Sequence, residues 1–154
     1  MDKPMHLGRV VLAAVILGLV GFALRLSTSD VAAQDQSDEA ARLLREQRVG
    51  GSVSVDTGFI AGARRFEPGN KTYWHAHEGG FILFVQEGRA RVQTRGGLMR
   101  ELSVGEIDYV APGVEHWHGA APNEGLIQLG VVPLGGGIEF LEPVTDAQYA
   151  GESM

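Results

Sequence analysis

An all-β domain, a sandwich or barrel of short antiparallel strands, is the fold class this sequence predicts. Three observations carry that expectation. From Val49 onward, short apolar or alternating runs recur at intervals of roughly ten residues. Glycine or proline stands between most of these runs, and 22 glycines in 154 residues are more than a helical bundle uses. Ser52-Val53-Ser54-Val55 and Ala90-Arg91-Val92-Gln93-Thr94 alternate polar and apolar side chains, the period of a half-buried strand.

The chain starts differently. Val10 to Leu24 is an apolar stretch flanked by Arg9 and Arg25, with Lys3 near the start. At about 1.5 Å per residue it spans roughly 22 Å, short of a hydrocarbon core of about 30 Å. This predicts a cleaved signal peptide, with Val31-Ala32-Ala33 as the cleavage site, or a retained membrane anchor in which Arg9 and Arg25 snorkel. Both place the domain across the membrane, periplasmic or secreted, with membrane contact only through the N-terminal segment. The expected organisation is a leader over residues 1–33, a short helical linker over 34–48 and one β domain over 49–154. Within the linker, residues 37–48 read as a helix capped by Ser37, with acidic residues in its first turn, serving as a spacer or packed over the barrel.

The strands follow in order. Phe81-Ile82-Leu83-Phe84-Val85 lies between Gly79-Gly80 and Gly88, and the alternating run Ala90–Thr94 ends at Gly96-Gly97. Ile107 to Ala111 is closed by Pro112-Gly113, and Leu126 to Val132 is the last clear core strand. No solenoid-type repeat is present.

Composition removes several function classes. With no cysteine there is no disulfide, thiolate metal site or cysteine nucleophile. The formal net charge is -6, the lysines are Lys3 and Lys71, and the arginines form no basic run. A nucleic-acid partner, which needs a cationic patch to displace counterions, is therefore not expected.

The histidines carry the chemistry. His6 falls in the leader, and the rest form two pairs, His75-Ala76-His77 and His116-Trp117-His118. Residues i and i+2 of a strand share a face, so each pair aims two imidazoles one way, as a sheet presents metal ligands. Imidazole suits Zn, Cu, Fe, Ni and Mn to differing degrees. The same parity places Tyr73 beside His75 and His77 as a pocket-lining hydrogen-bond donor or a barrel-filling aromatic. Trp74 and Trp117 alternate away from the histidines, to pack between sheets or in a dimer contact. Arg64 or Arg65 is a candidate inward clamp for a carboxylate, and Glu78 faces away unless Gly79-Gly80 bends the chain.

Gly69, His75-Ala76-His77 and Gly88 resemble the first motif of the cupins, and Gly105 to His116, with Gly113 between them, resembles the second. Two motifs agreeing in order and spacing over about residues 50–135 imply a double-stranded β-helix, or jelly-roll barrel, with a metal in its mouth. Phe66-Glu67-Pro68-Gly69, Trp74 to His77, His116 to Pro122 and the tail Val144-Thr145-Asp146 through Tyr149 are similar to the small bacterial cupins that include manganese-dependent hydroxynitrile lyases. The resemblance implies His75, His77 and His116 as ligands of one divalent metal: Mn, Fe, Zn or Ni. Two positions depart from the pattern. Phe81 stands where the first motif usually has a Glu or Gln ligand, and Gln128 where the lyase branch has a catalytic histidine.

The expected centre is thus three neutral imidazoles that leave the metal its full charge and open positions for an anionic or chelating small molecule. His118 shares a face with His116 and is a fourth ligand or a general base; Gln128 orients a ligand or satisfies a buried position. Two functions follow: a metalloenzyme acting on a small organic molecule, by lyase, isomerase or dioxygenase chemistry, or a non-catalytic cupin that binds or senses a small ligand. A homodimer is expected, because small cupins often bury a sheet face and both tryptophans point away from the pocket.

Overall fold

The structure is a computed structural model that describes residues 28–55 and 58–152. The apolar leader at residues 10–24 lies outside the described residues, and none of the described helices is long and apolar enough to cross a membrane. Packing divides the chain into Met1–Ala33 and Gln34–Met154.

The elements run α1 (Thr28–Glu46), β1 (Arg48–Val55), β2 (Phe59–Phe66), β3 (His75–His77), β4 (Phe81–Gly88), β5 (Ala90–Thr94), β6 (Arg100–Leu102), β7 (Ile107–Val110), β8 (His116–Ala120), β9 (Leu126–Pro133), β10 (Ile138–Phe140) and α2 (Asp146–Ala150). The strands form two five-stranded sheets, β1-β2-β9-β4-β7 and β10-β3-β8-β5-β6. Every pairing is antiparallel, and the fold is the jelly-roll barrel expected.

The core lies between the sheets. Phe66, Phe81, Leu83, Val85, Val110 and Leu126 come from one sheet, and Ala90, Val92, Leu102 and Ala120 from the other. Alternation explains the choice: along β4, Phe81, Leu83 and Val85 are buried while Ile82 is exposed. Burying each large side chain stabilises the fold by about 1.5–3 kcal/mol. Gly88, which ends the first motif, has φ +75°, and an added Cβ would lie 1.8 Å from the Gly125 carbonyl oxygen. No residue with a side chain fits where β4 crosses that loop.

The linker helix departs from its expected form in two ways. It begins at Thr28, so Ser37 lies inside it rather than at its cap. Val31-Ala32-Ala33-Gln34 continues the helical pattern backward, because alanine and glutamine are good helix formers. Nor is the part from Gln34 a free spacer. Ala40 is buried, the Gln36 side-chain amide donates to the Leu141 carbonyl at 2.9 Å, and Arg64 donates to the Leu44 carbonyl at 3.0 Å.

The tryptophans are covered from within the chain. Trp74 and Trp117 are buried with Val144, and Met99, Leu141 and Tyr149 pack against them. Helix α2 closes this cluster. Thr145 and Gln148 cap it reciprocally, and Gln148 Oε1 also accepts from Trp74 Nε1 at 3.2 Å. The tryptophans therefore pack under the C-terminal tail rather than in a contact between copies. Exposed apolar side chains lie on the other sheet, where Ile82 sits opposite Tyr109 and Ile107 is also exposed.

Candidate metal centre

Strand pairing brings the two histidine pairs together. His75 on β3 lies directly opposite His116 on β8, and β8 alternates so that His116, His118 and Ala120 face the interior while Trp117 faces the tail. The ring centroids of His75 and His116 are 4.2 Å apart, and His118 lies 5.2 Å and His77 5.2 Å from His75. Ligand nitrogens of His75, His116 and His118 all lie within 4.8 Å of one another, and all three residues are buried. The closest set of ligand atoms thus takes its third member from His118. His77, named as a ligand with His75 and His116 from the sequence, keeps its ring 5.5 Å from that of His116 and stacks on Phe81 at 4.9 Å.

Backbone contacts orient two of the rings. His75 Nδ1 is 2.9 Å from the Tyr73 carbonyl, and His116 Nδ1 is 3.1 Å from the Val114 carbonyl. A carbonyl only accepts, so each Nδ1 must carry the proton and each Nε2 keeps its lone pair. Burial pushes all four imidazoles below the ordinary histidine pKa, with His77 at about 4. They are neutral at pH 7, the form that binds metal. His116 Nε2 and His118 Nδ1 are buried without a hydrogen-bond partner. An unsatisfied buried group costs about 1–3 kcal/mol, so these orphaned nitrogens fit a cation as their missing partner.

Phe81 does more than remove a ligand. Its ring stacks on His77, on His118 at 5.2 Å and on His116 at 5.5 Å, with interplanar angles of 15°, 19° and 24°. Gly130 makes the room: a Cβ there would lie 2.8 Å from Phe81 Cε2.

Beside the histidines lies a cavity of about 370 Å³. Its walls follow the register. On β2 and β9, Ile60 faces Val132, Gly62 faces Gly130 and Arg64 faces Gln128. On the other sheet, Ile138 lies opposite His77 and Phe140 opposite His75. Helix α1 adds Ala41, Leu44 and Arg45, and Arg48 follows at the start of β1.

The remaining sequence candidates are placed unequally. Gln128 is buried in this cavity with Oε1 unpartnered. Tyr73 is not part of it. It lines a separate cleft with Pro143 and Val144, because β3 starts at His75 and the two-residue alternation does not extend back to position 73. Glu78 accepts from the Gly137 amide at 3.0 Å and holds the turn before β10. Arg65 is exposed, on the opposite face of β2 from Arg64. Arg45, Arg48 and the apolar wall were not singled out from the sequence. Alternation with Arg64 points to Ile60, but only the helix packing brings Arg45 to the cavity.

The cupin domain family matches residues 63–131. An (R)-mandelonitrile lyase of Granulicella tundricola is 39% identical over 97 residues, 61% of this chain and 74% of that protein. The chain belongs to the cupin superfamily. A cupin-like protein from Thermotoga maritima is similar to this cupin in structure, with a TM-score of 0.60 and 37% identity over 64% of this chain and 79% of its own. An uncharacterised double-stranded β-helix protein from Klebsiella pneumoniae shares the fold, with a TM-score of 0.54 and 23% identity over 69% of this cupin and 94% of that chain. Family, histidine cluster and lyase relative together make the chain a metal-binding cupin.

Proposed function

We propose that this cupin is a metal-dependent enzyme acting on a small organic molecule, with lyase chemistry as the first reaction to test. One observation carries the reading: buried, neutral imidazoles, with His116 Nε2 orphaned, stand beside a cavity of ligand size. His75 and His116, each oriented by its own backbone, are the fixed ligands. One of His118 and His77 completes the set, and the other is left to exchange a proton with the substrate. A bound divalent ion supplies Lewis acidity to an oxygen or nitrogen of the substrate.

The relative's name motivates the assay, in which mandelonitrile is cleaved to benzaldehyde and hydrogen cyanide. Metal content is measured beside turnover in wild type and in His75→Ala, His77→Ala, His116→Ala and His118→Ala. His75→Ala and His116→Ala lose the metal. Of the other pair, the ligand's variant loses metal, while the other variant keeps metal and loses turnover. Equal metal content in all variants refutes the centre. A full metal load without turnover on hydroxynitriles or on small aromatic carboxylates favours the second reading, a ligand-binding cupin. The Phe81 ring stacked among the imidazoles supports that alternative.

The reading includes export and a homodimer. The apolar leader supports export, and a cytoplasmic signal in fractionated cells refutes it. Exposed Ile82, Ile107 and Tyr109 support the dimer, and a monomeric mass by light scattering at micromolar concentration counts against it.

A further inference from the structure

Arg64 is a half-buried cation on the inner face of β2. One of its nitrogens donates to the Leu44 carbonyl, which leaves further guanidinium donors. Among the described residues no carboxylate pairs with it, and the charge that bears on it most is that of Arg48, a like charge. Among the described residues no aspartate or glutamate lines the cavity, whereas Arg45 and Arg48 stand at its exposed edge. A partly desolvated guanidinium without a counter-charge is costly, and a planar anion is the partner that its fork geometry matches. Gln128, directly opposite on β9, holds a buried and unpartnered Oε1 into the same space. Apart from the histidines, the rest of the wall is apolar, with Leu44, Ile60, Val132, Ile138 and Phe140 among its side chains.

We propose that the cavity takes a small organic carboxylate with an apolar body, the carboxylate held by Arg64 and the body seated against Ile60, Val132 and Phe140. The unpartnered Gln128 Oε1 is an acceptor, so it gives the carboxylate nothing and instead takes a donor group where the ligand carries one. The far end of the ligand then faces His75 and His118, so the proposal specifies the substrate class of the metal centre proposed above and rests on that reading in this respect. The volume of about 370 Å³ suits a ligand of one ring and a short acidic arm. Arg45 and Arg48 at the edge raise the local anion concentration without needing to touch the bound molecule.

Calorimetric titration of phenylacetate against its uncharged isostere phenylacetamide tests this on the purified protein, with metal content measured in the same samples. Phenylacetate should bind at least about tenfold more tightly than the amide, the factor a charge-assisted bidentate contact supplies. Arg64→Gln should remove that preference and Arg64→Lys, which keeps the charge, should retain part of it. Equal affinity for acid and amide, no binding of either, or an undiminished preference in Arg64→Gln overturns the proposal. The wild-type comparison decides the matter even where a variant fails to fold. The two readings fail separately: protein that carries metal but shows no acid preference sinks only the carboxylate site, and metal-free protein that keeps an Arg64-dependent preference sinks only the metal centre.

Discussion

At the scale of single residues, the centre is governed by what replaces the usual fourth ligand. Phe81 fills that position with a ring that lies against three imidazoles and over Gly130. The close approach makes Phe81 and Gly130 a matched pair. Gly130→Ala should destabilise the protein by about 1–3 kcal/mol, the usual cost of overpacking. In a Phe81→Gln background the same change should cost much less, because the ring that it meets is gone. A double-mutant cycle by chemical denaturation measures the coupling, and additive effects would show that the two positions are independent.

Elements decide which surfaces are closed. The segment from Gln34 to Glu46 lies along the cavity rather than tethering the barrel loosely, held by contacts at Gln36, Ala40 and Leu44. The C-terminal tail does the equivalent on the other sheet, where α2 is short and depends on its cap. Thr145→Ala removes the acceptor for the Gln148 backbone amide, while the Gln148 side chain keeps its bonds from the residue-145 amide and from Trp74 Nε1. It should cost about 1 kcal/mol, seen as a lower denaturation midpoint with the slope unchanged. A loss within experimental error would mean that packing of Tyr149 and Val144 alone positions the tail.

The whole molecule responds to pH through its buried imidazoles. Burial lowers the folded pKa of His75, His77, His116 and His118, so in acid the unfolded chain binds more protons than the folded one. Stability is therefore complete above the ordinary histidine value of 6.5 and falls as pH drops below it, continuing for His77 to about 4. The melting temperature of chelator-treated protein should be level near pH 7–8 and decline from about pH 6.5 toward 4. Replacing His118 by Phe should flatten that decline, and an unaltered slope would assign it to the carboxylates. Bound metal opposes the decline while it stays bound, since it stabilises only the folded chain.

Although it left β2, β6 and β10 open, the sequence by itself determined the fold class, the positions of β4, β5, β7 and β9, and the grouping of the histidines. These follow from local periodicities: alternation sets which side chains share a face, glycine and proline mark where strands end, and paired imidazoles on one face need no knowledge of the rest of the chain. It could not determine where the linker helix packs, because helix propensity does not set the surface that Ala40 and Leu44 find. Nor could it show that Tyr73 leaves the pocket, since alternation holds only inside a strand and β3 begins two residues later. Tertiary structure alone set Arg64 against Gln128, stacked Phe81 over Gly130 and brought Arg45 to the cavity. Each of these contacts joins elements distant in sequence, and their placement depends on sheet register and side-chain volume.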